Sequence, residues 1–182
     1  MRPLRVVVSG SECTGKTTLA SELAARLGAP WSPESARAYA ERIGRELTAD
    51  DVEPIARQQI AAEDAAEARA AAGLLVCDTD LVSTVVYARH YYGACPAWVE
   101  AAARARRGDL YLLLRPDVPW VADGVRDRPR DREELHALFE AALHACGARV
   151  ATIRGAWDER RVAAEAAVAA LRRERPEPRR TC

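Results

Sequence analysis

The sequence predicts an α/β fold in which a parallel sheet is flanked by helices. Two observations carry that expectation: short apolar runs alternate with helical patterns along the chain, and the first run leads at once into a glycine-rich loop and a helix. Leu4 to Val8 is a β-branched run of the kind buried inside a sheet. Leu19, Leu23 and Leu27 then recur every four residues until Gly28 and Pro30 stop the pattern. A short segment around Trp31-Ser32-Pro33-Glu34 supplies the second strand, before a helical stretch holding Arg37 and Tyr39. Thr48 to Asp51 offer N-capping for a long Ala/Glu/Arg-rich helix reaching about Ala71, with Pro54 acceptable near its start. Leu74 to Cys77 is the next apolar run, ending in Asp78-Thr79-Asp80, and Leu110 to Leu114 and Val150 to Ile153 are two more. Helical patterns cover about 80–92, 96–107 and 131–146, the last with Leu135, Leu138, Phe139, Ala142 and Leu143 on one face before Gly147 ends it. Arg172 to Cys182, with Pro176 and Pro178 among charges, reads as a flexible tail behind a domain of residues 1–171.

Composition narrows the function. A chain of 182 residues suffices for one domain with a core, and 27 Lys+Arg against 27 Asp+Glu leave no net attraction to nucleic acid or an anionic membrane. No run approaches the ~20 apolar residues of a membrane helix, and the chain enters its first strand without room for a signal peptide, so a soluble cytoplasmic protein is expected. The five cysteines are odd in number and never spaced as CxxC, which argues for free thiols over disulfides or a zinc knuckle. Of the 27 basic residues 26 are Arg, which makes the one lysine, Lys16, informative.

Lys16 stands in Gly10-Ser11-Glu12-Cys13-Thr14-Gly15-Lys16-Thr17, a match to GxxxxGK[ST] between a strand and a helix, the setting of a phosphate-binding P-loop. Glycines let the backbone wrap an anion, successive N–H groups and the helix N-terminus face it, and a compact ammonium reaches the β- and γ-phosphates of a nucleotide. Residues 10–17 together with Thr18 are therefore the expected ATP contacts, with the Thr17 hydroxyl on Mg²⁺. Cys13 is read as a small filler, although a helix N-terminus lowers a thiol's pKa.

Asp78, at the end of a buried strand, is the expected second phosphate-site residue, holding Mg²⁺ or acting on the acceptor. Asp80 precedes a helix and is read as its N-cap. Asp123 to Arg132 alternates charges around Gly124 and Pro129, which suits a mobile Arg-rich lid at about 122–132. Arg126 is its expected catalytic cation, and Arg130 and Arg132 are left between a lid role and mutual pairing with aspartates. A common GTPase is set aside because the chain has no Asn for an Asn-Lys-x-Asp motif. An oligomeric AAA+ motor is set aside because Asp78 is followed by Thr79, not Glu.

Four segments together resemble the ribosylnicotinamide kinase domain of NadR-type proteins, within the P-loop nucleoside kinases: the Gly10 to Thr17 loop, Glu34-Ser35-Ala36-Arg37, Asp78-Thr79-Asp80, and Pro119-Trp120-Val121-Ala122-Asp123-Gly124-Val125-Arg126. The resemblance extends to about residue 170 and implies a five-stranded sheet in the order 2-3-1-4-5. It also implies ATP with Mg²⁺, and phosphorylation of the 5′-hydroxyl of nicotinamide riboside to nicotinamide mononucleotide. Its acceptor would lie between the second strand and the lid. There Trp31, Tyr39 and Trp120 either stack on a cationic ring or, for the two tryptophans, fill core. Glu34 and Asp123 are candidates for the ribose hydroxyls, Glu34 or Asp78 for the base, and Arg37 for orienting Glu34 or reaching a phosphate. NadR-type proteins also carry an adenylyltransferase domain with an HxGH motif and sometimes a helix-turn-helix; His90, His136 and His144 form no such motif, so neither activity is expected. Another nucleoside as acceptor, or a regulatory or adaptor ATP-binding role, are the alternatives, and no nucleic-acid or membrane partner is expected.

Overall fold

In a computed structural model of the chain, residues 2–70, 73–119 and 132–174 are described. Five parallel strands, β1 (Leu4–Ser9), β2 (Trp31–Ser32), β3 (Leu74–Asp78), β4 (Leu110–Leu114) and β5 (Val150–Ile153), form one sheet in the order β2-β3-β1-β4-β5. The expected strand order holds. Because strand side chains alternate, β1 sends Val6 and Val8 to one face and Val7 to the other. Leu74 and Val76 of β3 alternate in the same way with Leu75 and Cys77, as do Leu110 and Leu112 of β4 with Tyr111 and Leu113. Both faces are covered, which is why these strands read as unbroken apolar runs.

One face carries α1 (Lys16–Leu27), through Leu19 and Leu23, and α7 (Trp157–Glu174), through Ala164, Val168 and Leu171. The other carries α3 (Val52–Glu67), α4 (Leu81–Tyr92), α5 (Ala97–Ala105) and α6 (Arg132–Ala145), while α2 (Ser35–Ile43) packs on α3. Gly28 ends α1 in a left-handed conformation, its N–H donating to Ala24 and Ala25 carbonyls. Before α3, Asp51 accepts from the Thr48 N–H at 2.8 Å and from the Arg45 guanidinium, which holds its carboxyl well below the usual range.

Several expectations are corrected. The long helix ends at Glu67, short of Ala71, because i→i+3 bonds from Arg69 to Ala66 and Ala70 to Glu67 tighten it into a turn before β3. Leu138 is 38% exposed, since it sits at the edge of the α6 stripe while His136 turns inward. Residues 157–174 form a helix that the hydrophobic pattern does not reveal, because its buried stripe starts with an arginine, Arg160, and continues with Ala164. Arg172 to Glu174, read as tail, are its last turn, with Glu174 bonded to Arg149 at 2.8 Å. The lid expected at about 122–132 lies, apart from Arg132, outside the described residues, as do Trp120, Asp123, Arg126 and Arg130.

Gly10 shows how tightly the first loop is seated. Its φ is +138°, and a Cβ there would lie 2.8 Å from the Leu114 carbonyl oxygen. Gly10→Ala is expected to cost about 2 kcal/mol or more, read as a lower urea midpoint at unchanged m-value.

Candidate active site

The site forms where the carboxyl ends of β1, β2 and β3 meet, beside the point where the strand order reverses. β1 ends in Ser9, β2 in Ser32 and β3 in Asp78; all three are buried, with side-chain oxygens that lack a hydrogen-bond partner among the described residues. Buried polar atoms are normally satisfied, so a row of orphans at one sheet edge marks a ligand position. The register Val8↔Asp78 sets the carboxylate next to the loop that leaves β1.

That loop, residues 10–15, is held by its own backbone. The Ser11 carbonyl accepts from the Lys16 ammonium at 2.8 Å and from the Thr14 hydroxyl at 2.9 Å. Cys13 has φ +52° and Gly15 +85°, conformations that turn peptide N–H groups inward. A Cβ on Gly15 would press to 2.9 Å on the Trp157 ring. From behind, the fully buried Arg160 guanidinium donates to the Thr14 carbonyl at 3.2 Å, the Arg115 carbonyl at 3.0 Å and the Gly155 carbonyl at 2.9 Å, and also to Asp117. Arg132, buried at the start of α6, donates to Val118 and Cys13 carbonyls at 3.1 and 3.4 Å. Nothing in the sequence distinguishes Arg160 from the other arginines.

Burial pushes the Asp78 carboxyl up to about 6, against the opposing pull of the Thr17 hydroxyl, with Glu34 raising it further and Lys16 and Arg37 lowering it. Lys16, Thr17, Glu34 and Arg37 thus all stand near enough to Asp78 to act on its charge. The site fits Mg²⁺: an orphaned carboxylate and an exposed threonine hydroxyl are hard oxygen donors, and Mg²⁺ completes its shell with phosphate and water. Thr18 is exposed on the first turn of α1. Asp80 caps α4 through the Val82 N–H at 3.0 Å and accepts from the Tyr111 hydroxyl at 2.6 Å. Thr79, between the two aspartates, has φ +66°, unusual for a β-branched residue, and faces the cavity beside the loop.

This cavity, about 360 Å³, lies between α2, α3 and α4 and is lined by Glu34, Glu46, Gln59, Tyr87, Tyr91 and Tyr92, among others. Tyr87 and Tyr91 stack at 5.9 Å between centroids, and the Tyr91 hydroxyl donates to Glu12 at 2.9 Å. Glu12, expected on the nucleotide, therefore reaches toward the cavity wall. Of the two roles open to Trp31 the structure gives the core one, against the α1-side cluster, and the Tyr39 assignment is corrected: Tyr39 donates to Asp51 at 3.0 Å under the Arg42 guanidinium, and neither residue lines the cavity. The tyrosines of α4 take that place. Their spacing at 87, 91 and 92 on a helix is the signal in the sequence that points to them.

A family model described as an AAA domain matches residues 5–160. The trifunctional NAD biosynthesis/regulator protein NadR of Escherichia coli (strain K12) is 32% identical over 144 residues, 76% of this chain and 35% of that protein. The chain thus spans about a third of that relative's length. Among solved structures, a NadR protein in complex with NR superposes with a TM-score of 0.77 at 29% identity, covering 98% of this chain and 54% of that one. A NadR protein in complex with NAD and AMP-PNP does so at 0.74 and 28%, covering 93% and 49%.

Asp78 carries a stability cost with a definite sign. Its folded-state value of about 6 lies above the ordinary 3.8, so between these pH values the folded chain holds the extra proton and loses stability as pH rises, on the order of 3 kcal/mol in all. Asp78→Asn is expected to raise Tm at pH 8 and to raise it less at pH 5, where the native carboxyl is largely protonated.

Proposed function

The chain belongs to the AAA domain family whose model spans residues 5–160, and on that premise we propose that it is an ATP- and Mg²⁺-dependent kinase of nicotinamide riboside. It would transfer a phosphoryl group to the riboside's 5′-hydroxyl, yielding nicotinamide mononucleotide. The observation that carries the acceptor is the cavity wall. Its charged members among the described residues are Glu34 and Glu46, both acidic, and its aromatic members are three tyrosines. A pyridinium gains from a carboxylate and an aromatic face where a neutral base does not. The NadR structure with NR, similar over nearly the whole chain, supports the same choice, and the one with AMP-PNP supports ATP as donor. An acceptor-sized cavity beside the loop favours a kinase over a regulatory ATP-binding protein.

Each residue then has a task. The amides of residues 10–15 and the Lys16 ammonium bind the nucleotide phosphates and hold them in line with the cavity. Thr17 and Asp78 would hold Mg²⁺, which supplies charge neutralisation to the transferring group. Glu34 is assigned the base, because it lines the cavity while Asp78 faces the loop, and Arg37 at 3.9 Å from it orients its carboxylate. Tyr87 and Tyr91 replace Trp31 and Tyr39 as the stacking surface. For Asp123 at the ribose, and for Trp120 and Arg126, the assignments rest on the sequence; Arg126 is proposed to act on charge developing in the transition state.

With ATP and Mg²⁺, kcat/KM for nicotinamide riboside is expected to exceed that for uridine, thymidine and adenosine about 10-fold or more. A preference for any neutral nucleoside would overturn the acceptor, and inactivity on all four would favour the regulatory reading. Lys16→Ala is expected to abolish turnover in a folded protein, and Asp78→Asn to lower kcat by orders of magnitude while raising Tm, a combination that a purely structural Asp78 would not produce.

A further inference from the structure

Glu34 stands at the N-cap position of α2, yet its side chain makes no capping bond. The first amides of a helix have no partner within it; a short polar N-cap side chain ordinarily turns back to the second or third of them, and the very first must find its acceptor elsewhere. Here the Ser35 N–H donates to the Gln59 side-chain carbonyl at 3.1 Å, from one turn of α3 packed beneath. The bond joins residues 24 apart in the chain, and both partners are buried. An amide's oxygen and nitrogen are interchangeable in shape, so something must fix which faces Ser35. The Gln59 amide nitrogen donates to Glu63 at 3.1 Å, and Glu63 accepts from Arg5 at 2.9 Å on its other oxygen, with Arg106 at 3.5 Å. In its ionised form Glu63 only accepts, and with Arg5 on its other oxygen it turns the Gln59 nitrogen downward and the oxygen up to Ser35.

Resting on the kinase reading above, we infer that Gln59 is a positioning residue: by holding the first amide of α2, the Ser35 N–H next to Glu34, with its own amide oriented by Glu63 and Arg5, it fixes where the Glu34 carboxylate stands at the acceptor cavity. The arrangement is costly, which argues that it is kept for position. Glu63 is fully buried, and burial together with the nearby Asp80 pushes its carboxyl up to about 7 against the pull of Arg5, Gln59 and Arg106. An apolar trio of similar volume would pack at no such penalty. It would also leave the Ser35 N–H without an acceptor and the start of α2 unanchored.

Gln59→Met removes both bonds at near-constant volume. In the full chain it is expected to lower kcat for nicotinamide riboside about 10- to 100-fold, the size of effect a displaced catalytic group produces, with the KM for ATP changed less than about twofold. Gln59→Asn, one methylene too short to span both partners, is expected to act in the same direction and serves if the Met variant folds poorly. Gln59→Glu combined with Glu63→Gln restores the chain of donors and acceptors with the carboxylate moved one turn, and is expected to return kcat to within about threefold of the parent. Amide exchange of residues 35–39, measured without ligand, is expected to speed up about 10-fold or more in the two single variants and to recover in the double one. This readout needs no turnover, so a protein that phosphorylates none of the nucleosides but shows these exchange changes loses the kinase reading and keeps the positioning role. Unchanged kcat and exchange in Gln59→Met, an equal rise in the KM for ATP, or no recovery in the double variant would overturn the inference.

Discussion

The register of two neighbouring parallel strands governs this site. Val8 lies opposite Asp78, so the last residue of β3 ends level with the turn where the chain leaves β1 for its phosphate-binding loop. Side chains alternate along a strand with period two, and a slip of one residue would exchange Asp78 for Cys77 or Thr79 at this point and turn the carboxylate to the opposite face. The register is held by apolar side chains on both sides of the sheet, Val6 and Val76 on one, Val7 and Leu75 on the other. The core therefore does more than stabilise: it sets where one buried charge stands relative to one lysine.

Around that point the molecule accepts unfavourable local terms and surrounds them with support. Cys13 and Thr79 both adopt left-handed backbone, one inside the loop and one between the two aspartates. The turn at Thr79 separates the aspartates by role, leaving Asp78 at the loop and Asp80 as a helix cap beneath Tyr111. Arg160 answers the loop strain from outside, committing a fully buried guanidinium to main-chain carbonyls of the loop and of the β4 exit. A lysine there would lack the planar spread of donors that reaches three carbonyls at once.

How far the sequence discloses this depends on whether a residue's role is written in its neighbours along the chain. The strands, the loop from Gly10 to Thr17, the Asp80 cap and the Gly28 stop are local patterns, each legible from a few consecutive residues. The adjacency of Asp78 to Lys16 follows once the strand order is known. Trp31 and Tyr39 mislead because an aromatic residue near the second strand says nothing of which way it faces, and in the fold one enters core while the other serves the Asp51 cap. Arg160 and Gln59 are illegible for the opposite reason: their partners, Thr14 and Ser35, lie 146 and 24 residues away. The helix at 157–174 escapes notice because its buried stripe opens on an arginine and an alanine, Arg160 and Ala164, before Val168 and Leu171.

The two halves of the site have opposite electrostatic character, and the sheet edge divides them. On the loop side, main-chain amides and the Lys16 ammonium present positive charge. On the cavity side, Glu34 and Glu46 stand with three tyrosines, and the Tyr91 hydroxyl reaches across to Glu12 on the loop itself. Under the proposed function, an anionic donor and a cationic acceptor would each be drawn to their own half, and neither would gain in the other's. Discrimination between two such substrates would then need no moving part among the described residues, because it would be built into which strand each wall leaves.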